Sequence, residues 1–428
     1  MSAPDEHQAS AVALPEPRII PRSQHNISRK NIDPDAVKVM YRLHRHGFLA
    51  YLVGGGVRDL LLGKRPKDFD VGTDARPGEV RKLFRNSRII GRRFRLVQVF
   101  FRGGKIIEVS TFRRAADPDE DGILQANNTF GTPAEDALRR DLTINAIFYN
   151  IADFSLVDYV GGLDDLRAGL IRGVGDPLVR FRRDPVRILR AIRHAARTGF
   201  KLAPETWQAV TTLGDHLALC PTSRLRDELM RDLTGGSSAA WLELAHRSGV
   251  LYHLLPNLRP VYGQDPSPAR TRARELLARI DAAWSRGELP DDAVVVAALL
   301  WPALEEAAAG QDLPPGRAGR VAWTQFARQE LPRLAQPLAF TKRVMERCRQ
   351  MAGVMAYLRD PRPGMRLPKR VTDKGYFLPA CRLARLLGRD LASLAAPAAG
   401  KTSTKKKKRR RRRRRRPRPA KPVASREQ

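Results

Sequence analysis

Asp68 and Asp70 stand two residues apart in Lys67-Asp68-Phe69-Asp70-Val71, about one helix's length after the glycine run Gly54-Gly55-Gly56. In an extended strand, residues two apart point the same way, so both carboxylates are expected on one face while Phe69 and Val71 turn to a core. Two clustered anions need a cation. Glycines at a strand-to-helix turn admit a phosphate to backbone N–H groups and to the positive end of a helix dipole. Carboxylates on the following strand suit Mg²⁺ ions that bridge phosphates and activate an attacking hydroxyl. Paired aspartates on a surface strand are commonplace by themselves, and no Gly-Lys-Ser/Thr follows the glycines, so the loop is not the common P-loop. The combination points to nucleotidyl transfer.

Other charged groups have sequence contexts that demand a partner. Glu108 lies within the apolar run Ile106-Ile107-Glu108-Val109, where a charge requires an arginine or a cation beside it. Arg139-Arg140-Asp141 ends a short helical segment, where cations are favoured. Asp184-Pro185 reads as an N-cap and a first-turn proline. In the helix that follows, Arg187, Arg190, Arg193 and Arg197 fall within an arc of roughly 120°, opposite Ile188, Leu189, Ile192 and Ala196. Such a stripe repels itself unless it faces an anion.

These residues need a scaffold, and hydrophobic periodicity supplies its outline. Phe48-Leu49-Ala50-Tyr51-Leu52-Val53 reads as a buried strand, and Val57-Arg58-Asp59-Leu60-Leu61-Leu62 as a helical segment stopped by Gly63. Further strands are expected near 69–73, 88–100, 105–112 and 144–149, with a short helix opening at Asp33-Pro34. Residues 113–133 carry charges, glycines and Asn127-Asn128 without a pattern, as a mobile loop beside an active site would. From Gly161-Gly162 to about residue 393 the signal is helical, clearest in 185–198 and in Leu225, Leu229, Met230 and Leu233. The expected class is α+β: a small mixed-sheet head followed by an all-helical neck and body.

Leu52-Val-Gly-Gly-Gly-Val-Arg-Asp-Leu-Leu-Leu-Gly63 and Lys67-Asp-Phe-Asp70 resemble the active-site signature of bacterial poly(A) polymerases and CCA-adding enzymes, within the polymerase-β-like nucleotidyltransferases. The resemblance continues in order through Ile90-Gly-Arg-Arg-Phe-Arg-Leu96, Ile107-Glu-Val-Ser-Thr-Phe-Arg113, Arg139-Arg-Asp-Leu-Thr-Ile-Asn145 and Asp184-Pro-Val-Arg-Ile-Leu-Arg190. It is strong over roughly residues 28–250 and looser over the helical remainder. It implies that Asp68, Asp70 and Glu108 hold two Mg²⁺ ions, with Mn²⁺ as the alternative, and that Asp141 completes the catalytic set. It also implies that Gly54, Gly55 and Arg58 cradle the triphosphate of ATP, and that Arg140 contacts the nucleotide. Asp184 and Arg187 would read the base edge, with Arg190 and Arg193 as phosphate clamps. Two positions depart from the pattern: Arg183 stands where relatives usually have glutamate, and His194 where they usually have phenylalanine. The glutamate's loss bears on how Arg187 is oriented, and His194 reads as a packing residue.

The resemblance divides the chain into a flexible leader (1–27), a catalytic domain (28–163), a helical nucleotide-recognition and RNA-binding domain (164–260), a helical body (261–395) and a disordered Lys/Arg-rich tail (396–428). Gly91-Arg-Arg-Phe-Arg-Leu-Val-Gln-Val99 and the arginine-rich end are similar to the poly(A) polymerase branch. That branch adds AMP from ATP to RNA 3′ ends, of mRNA and also of tRNA, without a template. A CCA-adding or A-adding enzyme acting on tRNA shares every catalytic residue; an inactive RNA-binding protein or a basic chromatin- or ribosome-associated protein would share only the charge.

The net charge of +33 agrees with a polyanionic partner: residues 401–428 carry +15 of it, leaving +18 on the rest. Binding driven by such a field weakens steeply with salt. Three widely spaced cysteines form neither a disulfide framework nor a zinc pattern. With no apolar run long enough to span a bilayer and no signal-peptide core, the expected location is cytoplasmic.

Overall fold

Asp33 and Pro34 open the first helix of the head, α1 (Pro34–Arg45), and Asp33 Oδ1 accepts the backbone N–H groups of Asp35 and Ala36. Lys105 pairs with Asp33 and Asp35 and ties that helix start to the sheet. The computed structural model describes residues 14–91, 95–114, 129–289, 291–360, 365–391 and 394. Leader residues 1–13, residues 92–94, most of the expected loop (115–128) and the tail (396–428) lie outside the described residues.

The head is an eight-stranded mixed sheet in the order β1-β8-β7-β2-β3-β6-β5-β4. Its strands are β1 (Arg18–Ile20), β2 (Ala50–Val53), β3 (Asp70–Thr73), β4 (Ser87–Ile90), β5 (Leu96–Phe100), β6 (Ile106–Thr111), β7 (Ile147–Asn150) and β8 (Leu156–Asp158). Only β3 and β6 run parallel among these pairings. One face carries Leu52, Val71, Val97, Val109 and Tyr149 into the main core with α1 and with Val80 of α3 (Pro77–Leu83). The other face gathers Tyr51, Val53, Phe112 and Phe148 with Ala137 of α4 (Pro133–Arg139). A helix α2 (Gly55–Leu61) joins β2 to the segment before β3.

Three details differ from the sequence reading. The supposed leader contributes an edge strand, since β1 pairs antiparallel with β8 and buries Ile20, and Ile27 is also in the core; a three-residue strand is too short to register as periodicity. The single strand expected at 88–100 is two antiparallel strands, β4 and β5, and the short β8 was not anticipated. The helical half also holds a two-stranded parallel sheet, β9 (Leu170–Ile171) with β10 (Lys201–Leu202).

Beyond the sheet the chain is helical. It passes through α5 (Gly162–Ala168), α6 (Pro177–Arg183), α7 (Val186–Thr198), α8 (Pro204–Thr212), α9 (Thr222–Leu233) and α10 (Ser238–Arg247). In the body, the helix Asp292–Ala309 buries every residue from Ala293 to Leu304, including Trp301 and Pro302. A helix apolar on all sides must be central. It is packed by the helices Pro268–Ser285, Gly316–Leu334, Lys342–Met355 and Phe377–Leu386. No helix among the described residues is long and apolar enough to cross a membrane.

Candidate active site

The carboxylates are set by sheet register. Asp70 opens β3 and pairs in register with Glu108 on the parallel strand β6, and Glu108 pairs in turn with Gln98 on β5. Residues in register on neighbouring strands point to one side, so Asp70, Glu108 and Gln98 form a row, and Gln98 Nε2 donates to Glu108 Oε1 at 3.0 Å. Asp68 is exposed and precedes the strand, so the two aspartates do not share a strand face by ladder geometry as the spacing implied. Gly56 brings the segment close: a Cβ there would lie 3.4 Å from the Asp68 carbonyl oxygen.

Burial, the Glu108 charge and the Asp68 charge together push the Asp70 carboxyl up to about 6, with Arg140 opposing them. Among the described residues, no three acidic, histidine or cysteine side chains converge on one point as a closed ligand shell. The electrostatics nevertheless fit a cation, because a carboxylate that is raised by two others occupies a site with excess negative charge. Gly54 has φ 72° and ψ −142°, a conformation reserved for glycine. A Cβ there would fall 3.6 Å from Arg140 NH1 and 3.9 Å from Asp70 Oδ2, so the glycine loop, Arg140 and the carboxylates are neighbours.

Arg58, expected to cradle the triphosphate, is engaged by groups of the protein. It is 2% exposed. Its Nε and NH2 donate to Asp59 Oδ1 at 2.9 and 2.8 Å, and its NH1 donates to Asn145 Oδ1 at 2.7 Å and faces His194 Nδ1 at 3.1 Å. His194 is partly buried; desolvation first, then the charges of Arg58, Arg193 and Arg197, hold its ring well below the usual range and therefore neutral. The phenylalanine-to-histidine departure thus supplies an acceptor to a buried arginine that joins α2 to α7. Replacing Arg58 with alanine is expected to cost about 3 kcal/mol, because it strands buried polar partners. Urea unfolding of Arg58→Ala and Arg58→Lys checks this: both midpoints should fall, and an unchanged midpoint would contradict the bracing role.

Opposite the carboxylates, Asp141 organises arginines. Arg187 Nε lies 3.2 Å from Asp141 Oδ1 and Arg190 NH1 lies 2.5 Å from its Oδ2. Burial alone would raise the Asp141 carboxyl, but Arg187 and Arg190 outweigh it and hold the group below its usual value. Arg187 also donates to the carbonyl oxygens of Arg140 and Arg139, each at 3.2 Å. Arg140 is itself held by Asp136, at 3.1 and 2.9 Å, and by the Asn145 carbonyl at 3.1 Å.

The arginine stripe of α7 does face anions, and these belong to the protein. Arg190 and Arg193 reach Glu228 at 3.4 and 2.6 Å, and Arg193 reaches Asp232 at 3.1 Å. Arg197 approaches Asp59 at 3.8 Å. Arg190 and Arg193, expected as phosphate clamps, pair with Glu228 and Asp232 and tie α7 to α9. Glu228 and Asp232 were missed, although their i, i+4 spacing among Leu225, Leu229 and Leu233 places acidic groups on a buried helix face.

Arg180 and Arg224 were also missed. Arg224 pairs with both oxygens of Asp184, at 3.0 and 3.2 Å. Arg180 is pushed down to about 10 by burial first and by Arg187 next, while Asp141 opposes the shift. Its Nε, together with Asp184 Oδ1 and Arg187 Nε, is buried without an aligned hydrogen bond. Two donors and one acceptor therefore collect at the start of α7. Their i, i+4, i+7 spacing was the signal available in the sequence.

The chain matches the model of the poly A polymerase head domain over residues 50–172 and that of the probable RNA and SrmB-binding site of polymerase A over residues 199–261. It is 44% identical over 319 residues to poly(A) polymerase I of Escherichia coli O6:H1, covering 72% of this chain and 68% of that protein. It is 41% identical over 355 residues to poly(A) polymerase I of Salmonella typhi, covering 80% and 76%. Among solved structures, the CCA-adding enzyme of Bacillus stearothermophilus in complex with CTP superposes with a TM-score of 0.61 at 26% identity, covering 85% of this chain and 81% of that one. The head sheet, the carboxylate row and the helical neck therefore place this chain in the family of bacterial poly(A) polymerases and CCA-adding nucleotidyltransferases, whose chemistry depends on divalent metal.

Proposed function

We propose that this protein adds AMP from ATP to RNA 3′ ends without a template and releases pyrophosphate. The observation that carries the reading is the way Arg140 joins two sets of groups. Its guanidinium lies beside the glycine loop and acts on the carboxylate row, and its main-chain carbonyl accepts from Arg180 and Arg187, the arginines that gather with Asp184 at the start of α7. Identity to two poly(A) polymerases over most of the chain supports the same chemistry.

Asp68, Asp70 and Glu108 would hold two Mg²⁺ ions, or Mn²⁺, which as Lewis acids activate the RNA 3′-hydroxyl and stabilise charge on the leaving pyrophosphate. Gly54 and Gly55 leave room for the triphosphate, with Arg140 beside them. Asp184 accepts from the adenine amino group, giving up part of its pairing with Arg224, and Arg187 donates to the ring nitrogen. Asp141 acts on Arg187 and Arg190 by orienting them and touches no reacting atom. The helical neck holds RNA chiefly through phosphates, giving little sequence preference. A cytoplasmic location fits such substrates.

Full-length protein given ATP, Mg²⁺ and an oligo(A) primer is expected to release one pyrophosphate per nucleotide added, and none without primer. Pyrophosphate release without primer extension would contradict the transfer reading. Removing residues 401–428 takes away +15 of charge. Catalysis on short primers should persist, while RNA affinity falls and its salt dependence flattens; unchanged affinity would refute a role for the tail. The likeness to a CCA-adding enzyme with bound CTP favours tRNA 3′-end addition as the second reading.

A further inference from the structure

A cavity of about 300 Å³ opens between the head and the neck. It is lined by Lys67 and Asp68 of the head, Arg197 of α7, Arg231 and Asp232 of α9, and Trp284 of the helix Pro268–Ser285. It shares Asp68, Arg193, Arg197 and Asp232 with the site described above, whereas Lys67, Arg231 and Trp284 have no role there.

The walls are built for a ligand. Gly236, just past α9, has φ +79°, and a Cβ there would fall 2.4 Å from a ring carbon of Trp284, so only glycine lets the indole lie against this turn. The ring is thereby fixed in the cavity wall while 37% of the residue stays exposed. Asp232 is fully buried; Oδ1 meets Arg193, and the carboxylate lies beside the Trp241 indole N–H. Arg197 and Arg231 are 46% and 65% exposed in their side chains; Arg231 NH1 meets Glu228 at 2.9 Å and Arg197 approaches Asp59 only to 3.8 Å, so both present donors at the rim. A positioned aromatic face with cations around it suits a nucleotide base with its phosphate.

We infer that this cavity holds a nucleotide at or next to the 3′ end of the acceptor RNA, with its base stacked on Trp284 and its phosphate met by Lys67, Arg197 and Arg231. The inference rests on the transfer reading above, since the cavity wall includes Asp68, one of the carboxylates in that reading.

The test is equilibrium binding of the full-length protein to a short oligo(A) RNA, and to the same RNA with abasic riboses at its last two positions. Trp284→Ala is expected to weaken binding of the intact RNA about tenfold and to leave abasic RNA unchanged, while Trp284→Phe retains most of the affinity. An Arg197→Gln, Arg231→Gln double variant should weaken both RNAs and flatten the salt dependence. Wild-type affinity in Trp284→Ala, or equal loss on intact and abasic RNA, would overturn the assignment. Because binding is read without catalysis, failure of the wild-type protein to incorporate AMP would count against the transfer reading alone.

Discussion

Asp70→Asn is expected to reduce AMP incorporation by about a thousandfold, since cation stabilisation of the transition state is worth several kcal/mol. Asparagine keeps the shape and removes one charge from a row in which Asp70, Glu108 and Asp68 repel one another. The same substitution should therefore raise the thermal midpoint of the metal-free protein slightly, a stability–activity trade-off at a functional site. Asp68→Ala should be similarly inactive with a smaller effect on the midpoint, because Asp68 is exposed. RNA affinity should persist in both variants, as the phosphate-binding cations are untouched. Primer extension, thermal unfolding and RNA binding measured side by side separate these effects; full activity in either variant would sink the metal assignment.

Asp184→Ala carries the second large effect, on nucleotide choice. Asp184 and Arg187 are among the three groups at the start of α7 whose buried atoms lack aligned hydrogen bonds. A site built to hydrogen-bond a particular base edge rejects the wrong one because its polar groups are left unpaired. Removing the acceptor should lower kcat/KM for ATP about a hundredfold and leave CTP use little changed, erasing the preference. Arg187→Lys should also fail, since lysine cannot reproduce contacts to Asp141 and two main-chain carbonyls at once. Retained ATP-over-CTP preference in Asp184→Ala would remove the base-reading role. It would leave Arg224, which holds both Asp184 oxygens, as a structural partner only.

The head was legible where local rules decide the outcome. Asp33-Pro34 capped its helix, the glycine at position 54 took the conformation no other residue favours, and apolar runs became β2, β3 and β6. What stayed hidden depended on partners distant in the chain. The arginine stripe on α7 was visible, yet the Glu228 and Asp232 that neutralise it come from α9, and the Asn145 that fixes Arg58 comes from the end of the catalytic domain. Periodicity marks which face is buried, but not what charge it meets. Short edge pairings such as β1 with β8 leave too few residues to form a pattern. The expected phosphate clamps Arg190 and Arg193 illustrate the dependence on distant partners: in the structure each pairs with carboxylates of α9 that the sequence around α7 does not show.

The most direct measurement is extension of two labelled RNAs, an oligo(A) primer and a tRNA ending before its CCA, by the full-length protein with Mg²⁺ and either ATP or CTP. Long ladders on oligo(A) with ATP, and little use of CTP, are the expected result. Addition confined to a few nucleotides on the tRNA, with CTP accepted, would contradict poly(A) synthesis and place the protein among the tRNA-maturing members of its family.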